Sequence, residues 1–185
     1  MSKNNSKRIL LTGVPGIGKT TLIMKICDRL KQTNVHLTGF YTEELRDNFN
    51  KRIGFDIITF DGKREKLSRT LDHIKPQDSN RYKIGQYYVF PELFEKIVLP
   101  MFSEFSDGVL VLDEIGKMEL LSGKFEQEVK NVFRNEKLCI LATVPVKGKL
   151  PLIESLICDP NNQLIRVTHN NRNHLLQDIL PVFQI

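Results

Sequence analysis

Gly13-Val14-Pro15-Gly16-Ile17-Gly18-Lys19-Thr20 fills every fixed position of the pattern G-x-x-x-x-G-K-[ST], the P-loop. Ahead of it, Arg8-Ile9-Leu10-Leu11-Thr12 is a short apolar run that reads as a buried strand. Behind it, Leu22, Ile23, Ile26, Cys27 and Leu30 recur at helical spacing. The stretch therefore bridges a strand and a helix, the setting the motif requires. Its glycines let the backbone turn tightly and bring N–H groups against phosphate oxygens at the positive end of the helix. Lys19 is placed to reach the β- and γ-phosphates, and the Thr20 hydroxyl to take one Mg²⁺ coordination position. With Thr21 beside it, the whole of Gly13 to Thr21 is the expected phosphate-binding segment.

Further along, Gly108-Val109-Leu110-Val111-Leu112-Asp113-Glu114 is an apolar strand that ends in two acids. Downstream of a P-loop this is the Walker B arrangement, in which Asp113 holds Mg²⁺ directly or through water. Glu114 then points from the strand tip toward the γ-phosphate, where a carboxylate orients and polarises an attacking water. Mg²⁺ takes few protein carboxylates, so one acid serves the metal and the other the chemistry. An Asp-Glu pair can also merely end a strand and cap the next turn; the P-loop upstream favours the functional reading. Thr143 lies near the C-terminal end of the buried run Leu138-Cys139-Ile140-Leu141-Ala142-Thr143-Val144, where ligands gather in open α/β sheets. It either touches the γ-phosphate or the water, or is a satisfied hydroxyl at a strand end. Arg172 opens the closing helix beside the strand Gln163 to Thr168, and either contacts base or phosphate or is an ordinary surface arginine.

The remaining segments add a second texture. After a strand that begins near Val35 to Thr38, Gly39 to Arg46 and Arg52 to Phe60 are strand-like, separated by the turn Asp47-Asn48-Phe49-Asn50. Asp61-Gly62 marks a tight hairpin with a returning strand over Lys63 to Arg69. This β-meander is inserted after the first strand–helix unit and is expected to cover a face or an edge of the sheet. Thr70 to Asn80 reads as a surface loop and Tyr82 to Val89 as one strand. A helix starts at Pro91, another carries Phe125, Val129, Val132 and Phe133, and short helices lie around Leu152 to Ile157 and Leu175 to Leu180. Lys147-Gly148-Lys149 is a basic loop.

A chain of 185 residues without linker, repeat or low-complexity segment suits one domain spanning 1–185. No apolar stretch is long enough to span a membrane, and the leader from Met1 to Arg8 is short and polar, so a soluble, intracellular (cytoplasmic) monomer is expected. Cys27, Cys139 and Cys158 form no C-x-x-C pair, which speaks against zinc and a disulfide framework; all three are expected to be small buried hydrophobes. The net charge of +5 admits nucleic-acid binding without requiring it, because the basic residues are scattered and a site for polyanionic nucleotides needs positive potential anyway.

Phe40-Tyr41-Thr42-Glu43-Glu44-Leu45-Arg46, Arg52-Ile53-Gly54-Phe55-Asp56, Val111-Leu112-Asp113-Glu114-Ile115-Gly116-Lys117-Met118-Glu119 and Asn171-Arg172-Asn173-His174-Leu175 come after the P-loop in that order. With these motifs the chain resembles the THEP-type nucleoside-triphosphatases over nearly its whole length. F-Y-T-E-E-[LV]-R and D-E-I-G-K-M-E carry the resemblance more specifically than the widely shared P-loop. It implies an α/β fold of RecA-like P-loop type: a mainly parallel sheet flanked by helices, with the inserted β-meander. It also implies Mg²⁺-dependent hydrolysis of ATP, GTP and other nucleoside triphosphates to diphosphate and phosphate, with loose base preference. By the same carry-over Leu110, Val111, Leu112, Asp113, Glu114, Ile115, Gly116 and Lys117 belong to the nucleotide site. Glu43, Glu44 and Arg46 are as readily a structural ion-pair group.

No N-K-x-D segment occurs after Asp113, so a guanine-specific switch is unsupported, and the length leaves little room for a motor or helicase. The competing reading is a kinase that hands the γ-phosphoryl group to a small-molecule or nucleic-acid hydroxyl, with Lys63, Arg64, Lys147 and Lys149 as basic groups near an acceptor. An arginine acting in cis, Arg172, is an open possibility in either case.

Overall fold

Burial in the strands separates two kinds of sheet. The computed structural model describes residues 7–75, 78, 82–146 and 150–183. The strands β1 (Arg8–Gly13), β7 (Val109–Asp113) and β8 (Cys139–Pro145) are buried along almost their full length, the mark of parallel strands covered on both faces. The strands β2 (Leu37–Arg46), β3 (Arg52–Thr59) and β4 (Arg64–Thr70) are half-buried. With the short β5 (Tyr82–Ile84), β6 (Tyr87–Val89) and β9 (Gln163–Arg166), they form one nine-stranded sheet in the order β5-β6-β4-β3-β2-β7-β8-β1-β9. From β2 to β9 the pairings are parallel; from β2 to β5 they are antiparallel.

Side-chain alternation puts one helical layer on each face. Val109 and Val111 pack with Ile9, Leu11 and the buried stripe of α1 (Lys19–Gln32), joined by α5 (Leu175–Phe183). Leu110 and Leu112 face the other way, against α2 (Pro91–Glu104), α3 (Gly123–Arg134) and α4 (Pro151–Cys158). There Phe40, Phe94 and Phe125 meet edge-to-face, with centroids 5.0 to 5.8 Å apart, and lock α2 and α3 onto β2. Ser122 starts α3 by accepting the Phe125 N–H at 3.0 Å.

The expected α/β P-loop fold is present, with four differences of detail. The segments around Val35 to Thr38 and Gly39 to Arg46 are one continuous strand. Its kink-prone point is Gly39, with φ of +131°, where a Cβ would lie 1.9 Å from the Val111 carbonyl oxygen. Of the two placements expected for the meander, the edge is the one found: β3, β4, β6 and β5 prolong the sheet beyond β2. Tyr82 to Val89 is a hairpin, not a single strand, because Gly85, at φ of +60°, reverses the chain with Gln86. Cys27 and Cys139 are buried as expected, whereas Cys158 at the end of α4 is exposed. Of the expected surface loop, Leu71–His73 is a turn of 3-10 helix. Lys147-Gly148-Lys149 lies outside the described residues.

Candidate functional site

The C-terminal ends of β1, β7 and β8 converge on one point. β8 runs between β1 and β7, so the loop leaving β1 and the acids ending β7 are two strands apart on the same edge. Gly16 (φ +77°) and Gly18 (φ +105°) take left-handed conformations that lift the loop over the start of α1. No side chain caps Gly18, and no acid stands in the first turn, which leaves the positive helix end free for an anion. Val14, Pro15, Gly16 and Thr21 are exposed around it, while Ile17 is buried and pins the loop to the layer of α1. Gly13 allows close packing, since a Cβ there would stand 2.8 Å from the Val167 carbonyl oxygen.

Lys19 turns inward. Its Nζ donates to the Gly13 carbonyl at 3.0 Å and lies 3.9 Å from Glu114 Oε2, with only 11% of its side chain exposed. Asp113 ends β7 on the α1 face at 1% exposure. The Thr143 hydroxyl donates to its Oδ1 at 2.5 Å, while Oδ2 is buried with no hydrogen-bond partner among the described residues. Burial pushes the Asp113 carboxyl above the usual range; the Thr143 hydrogen bond, the neighbouring Thr20 hydroxyl and the Lys19 charge pull it back. Glu114 comes next, across a cis peptide bond, and keeps 32% of its side chain exposed, open toward the loop. Burial raises its carboxyl too, against the opposing pull of Lys19.

A lone buried carboxylate oxygen beside a threonine hydroxyl is a donor set suited to a hard divalent cation. The residues Thr20 and Asp113 therefore fit Mg²⁺. Among the described residues no cluster of three His, Cys, Asp or Glu groups is placed to hold a metal.

Not every expected residue reaches this point. The side chains of Leu110, Val111, Leu112 and Ile115 are fully buried in the two apolar layers that flank Asp113 and Glu114. Lys117 is exposed on the turn after β7. Thr143 is engaged by Asp113 and acts on any ligand through that acid. Arg172 reaches the P-loop, its Nη1 standing 3.4 Å from the Ile17 carbonyl oxygen. Glu43, Glu44 and Arg46 form an ion-pair lattice on the meander: Arg46 and Arg52 pair with Glu44, Arg64 with Glu43 and Asp56, and Arg69 with Asp56 at 2.6 Å.

One residue at this centre carried no sequence expectation of its own. Glu119 is 5% exposed on the turn between β7 and α3, and its Oε2 accepts the Gly116 N–H at 3.1 Å. Burial first, then the Glu114 charge, pushes its carboxyl up to about 8. The only signal was its place as the last residue of the D-E-I-G-K-M-E motif.

A model of the family described as NTPase matches residues 8–180. The chain is 43% identical to the cancer-related nucleoside-triphosphatase of Homo sapiens, over 97% of either chain. The crystal structure of THEP1 from the hyperthermophile Aquifex aeolicus aligns with a TM-score of 0.83 at 34% identity, covering 96% of this chain and 99% of that one. The solution structure of a human cancer-related nucleoside triphosphatase aligns with a TM-score of 0.78 at 42% identity, covering 96% and 97%.

Proposed function

This chain belongs to the NTPase family, and from that premise we propose that it hydrolyses nucleoside 5′-triphosphates to the diphosphate and phosphate. The observation that carries the proposal is the meeting of Lys19 and Glu114, 3.9 Å apart, at the mouth of an uncapped helix end. A P-loop lysine within reach of a half-open carboxylate brackets the place where a γ-phosphate and a water must meet.

In this mechanism the loop amides and Lys19 bind the β- and γ-phosphates. Lys19 exchanges its contact with the Gly13 carbonyl for phosphate oxygens, and in doing so releases Glu114. Glu114 accepts a hydrogen bond from water and aims its oxygen in line with the β–γ bridge. The water oxygen bonds to the γ-phosphorus as the bond to the bridging oxygen breaks, and Lys19 offsets charge on the leaving diphosphate. Thr20 and Asp113 would hold Mg²⁺, which when bound neutralises charge on the phosphate oxygens. Thr143 keeps Asp113 turned to that duty. Arg172, at the back of the loop, is placed to steady the Ile17 backbone.

Loose base preference is part of the proposal, supported by the absence of an N-K-x-D segment after Asp113. So are a single catalytic domain over 1–185, a monomer, and no need for nucleic acid. No helix among the described residues is long and apolar enough to cross a membrane. The kinase reading gains no support: Lys63 pairs with Asp61 at 2.7 Å and Arg64 with Asp56 and Glu43, which leaves neither as a free acceptor-binding cation.

Phosphate release from ATP, GTP, CTP and UTP, each with Mg²⁺ and with excess chelator, tests the proposal. The expected result is release from all four with rates within about tenfold of one another, since a site that binds mainly triphosphate discriminates little among bases. Release lost on chelation supports the cation assignment. Tight nucleotide binding with no release from any of the four contradicts the hydrolase.

A further inference from the structure

The turn from Glu114 to Ser122 is more tightly built than a strand exit requires. The Ile115 N–H donates to the Thr143 carbonyl at 2.9 Å, which ties the turn to β8. The Leu120 N–H returns to the Gly116 carbonyl at 3.0 Å, and the Ser122 N–H to the Glu119 carbonyl at 3.1 Å. Inside this frame Glu119 is folded back so that its carboxyl meets the Gly116 amide. A Cβ on Gly116 would stand 2.8 Å from Glu114 Oε1, 2.8 Å from Glu119 Oε2 and 3.1 Å from Glu114 Cγ. The carboxyls of Glu114 and Glu119 thus flank one α-carbon, and a larger residue there would push both carboxyls out of their present positions.

We propose that Glu119 is a positioning residue for the reaction: by holding the Gly116 amide and filling the space beneath the turn, it fixes the Glu114 carboxylate in the orientation that faces the P-loop. This rests on the hydrolase reading above. Burying an ionisable group without a cation is costly, and the influences on Glu119 are burial, the like charges of Glu114 and Asp113, and backbone amides. An apolar residue would spare that cost but could not accept the Gly116 N–H. A carboxyl kept neutral by burial also adds little repulsion to Glu114, so it supports the neighbouring carboxylate without displacing it. Gly116 completes the device, since its missing side chain is what allows both acids to approach.

Steady-state kinetics and equilibrium binding of a fluorescent nucleotide, for the wild type and the variants Glu119→Ala, Glu119→Asp, Glu119→Gln and Glu114→Gln, test this. Misplacement of a catalytic group by about 1 Å costs up to about a hundredfold in rate, so Glu119→Ala and Glu119→Asp should lose about ten- to a hundredfold in kcat. Nucleotide affinity should stay within about twofold, because binding belongs to the P-loop. Glu119→Gln, with the same reach to the Gly116 amide, should recover kcat to within about threefold. Where Glu119→Ala fails to fold, Glu119→Asp decides, being one methylene too short for the amide. Full kcat in Glu119→Asp overturns the proposal, and so does a loss shared equally between kcat and affinity, which marks a merely structural residue. If the wild type hydrolyses, Glu114→Gln does not, and every Glu119 variant matches the wild type, this inference alone falls. If the wild type binds nucleotide and releases no phosphate, the hydrolase reading falls and this inference with it.

Discussion

The Lys19 ammonium faces the Gly13 carbonyl and Glu114. In the proposed mechanism the same ammonium draws the triphosphate, and its exchange of partners couples binding to the release of Glu114. Asp113 and Glu114 are neighbours with different environments, one sealed with an orphan oxygen and the other half-open, and the proposed mechanism gives the cation to the first and the water to the second. The place of both acids beside the P-loop was legible in the sequence because a P-loop and an acid-tipped strand are contiguous patterns. That of Glu119 was not, because a single glutamate in a turn has no periodicity. Its carboxyl makes a prediction for stability. With its pKa raised from 4.5 to about 8, the native state keeps a proton that the unfolded chain has shed between those values. Stability is then full below about 4.5 and falls as pH rises to about 8, since the native state binds more protons throughout that window. Urea midpoints should show Glu119→Gln gaining on the wild type from about pH 5 to about pH 8, whereas a constant difference would contradict the buried, neutral carboxyl. Asp113 and Glu114 shift in the same direction but are present in both proteins and cancel.

Among the elements, β2 joins the two halves of the sheet. On one side it runs parallel to β7 with Tyr41 opposite Asp113; on the other it starts the antiparallel meander with β3. Thr42 to Arg46 extend beyond the last paired residue of β7, so the β2–β3 ribbon rises past the strand ends on the P-loop's edge of the sheet, braced by the Glu43, Glu44, Asp56 and Arg64 ion pairs. The strand order of this ribbon was readable from alternating side chains and the Asp61-Gly62 turn. Its placement was narrowed only to a face or an edge, because alternation specifies a half-buried strand without saying whether it prolongs a sheet or covers one. The Tyr82 to Val89 run misled for a related reason: its apolar residues continue on both sides of a turn made by Gly85 and Gln86, too short to interrupt the pattern. Gly39 is the position on which β2 depends most. A Cβ would overlap the Val111 carbonyl at 1.9 Å in a conformation that L side chains avoid, so Gly39→Ala must move β2 off β7. The expected loss is about 3 kcal/mol or more by urea unfolding, the range of a backbone clash at a strained position. A loss under about 0.5 kcal/mol would mean that β2 slides freely and that its register does not brace the site.

Across the whole molecule, the sheet divides the work. The parallel half, buried on both faces, fixes the P-loop and the acid pair to strand ends on either side of β8, while the antiparallel half lengthens the wall beside them. Its net charge of +5 suits a polyanionic ligand, and on the meander Glu43, Glu44, Asp56 and Asp61 pair with arginines and a lysine. In the proposed mechanism one residue, Glu114, serves the attacking water while the remainder of the site serves binding. Single-turnover phosphate release by Glu114→Gln at saturating Mg²⁺ and ATP, with nucleotide affinity measured on the same protein, tests it most directly. Release slowed by about a hundredfold or more with affinity held within about threefold is the predicted result, the signature of a group that acts in the transition state alone. Release at the wild-type rate, or affinity lost in step with rate, would contradict it.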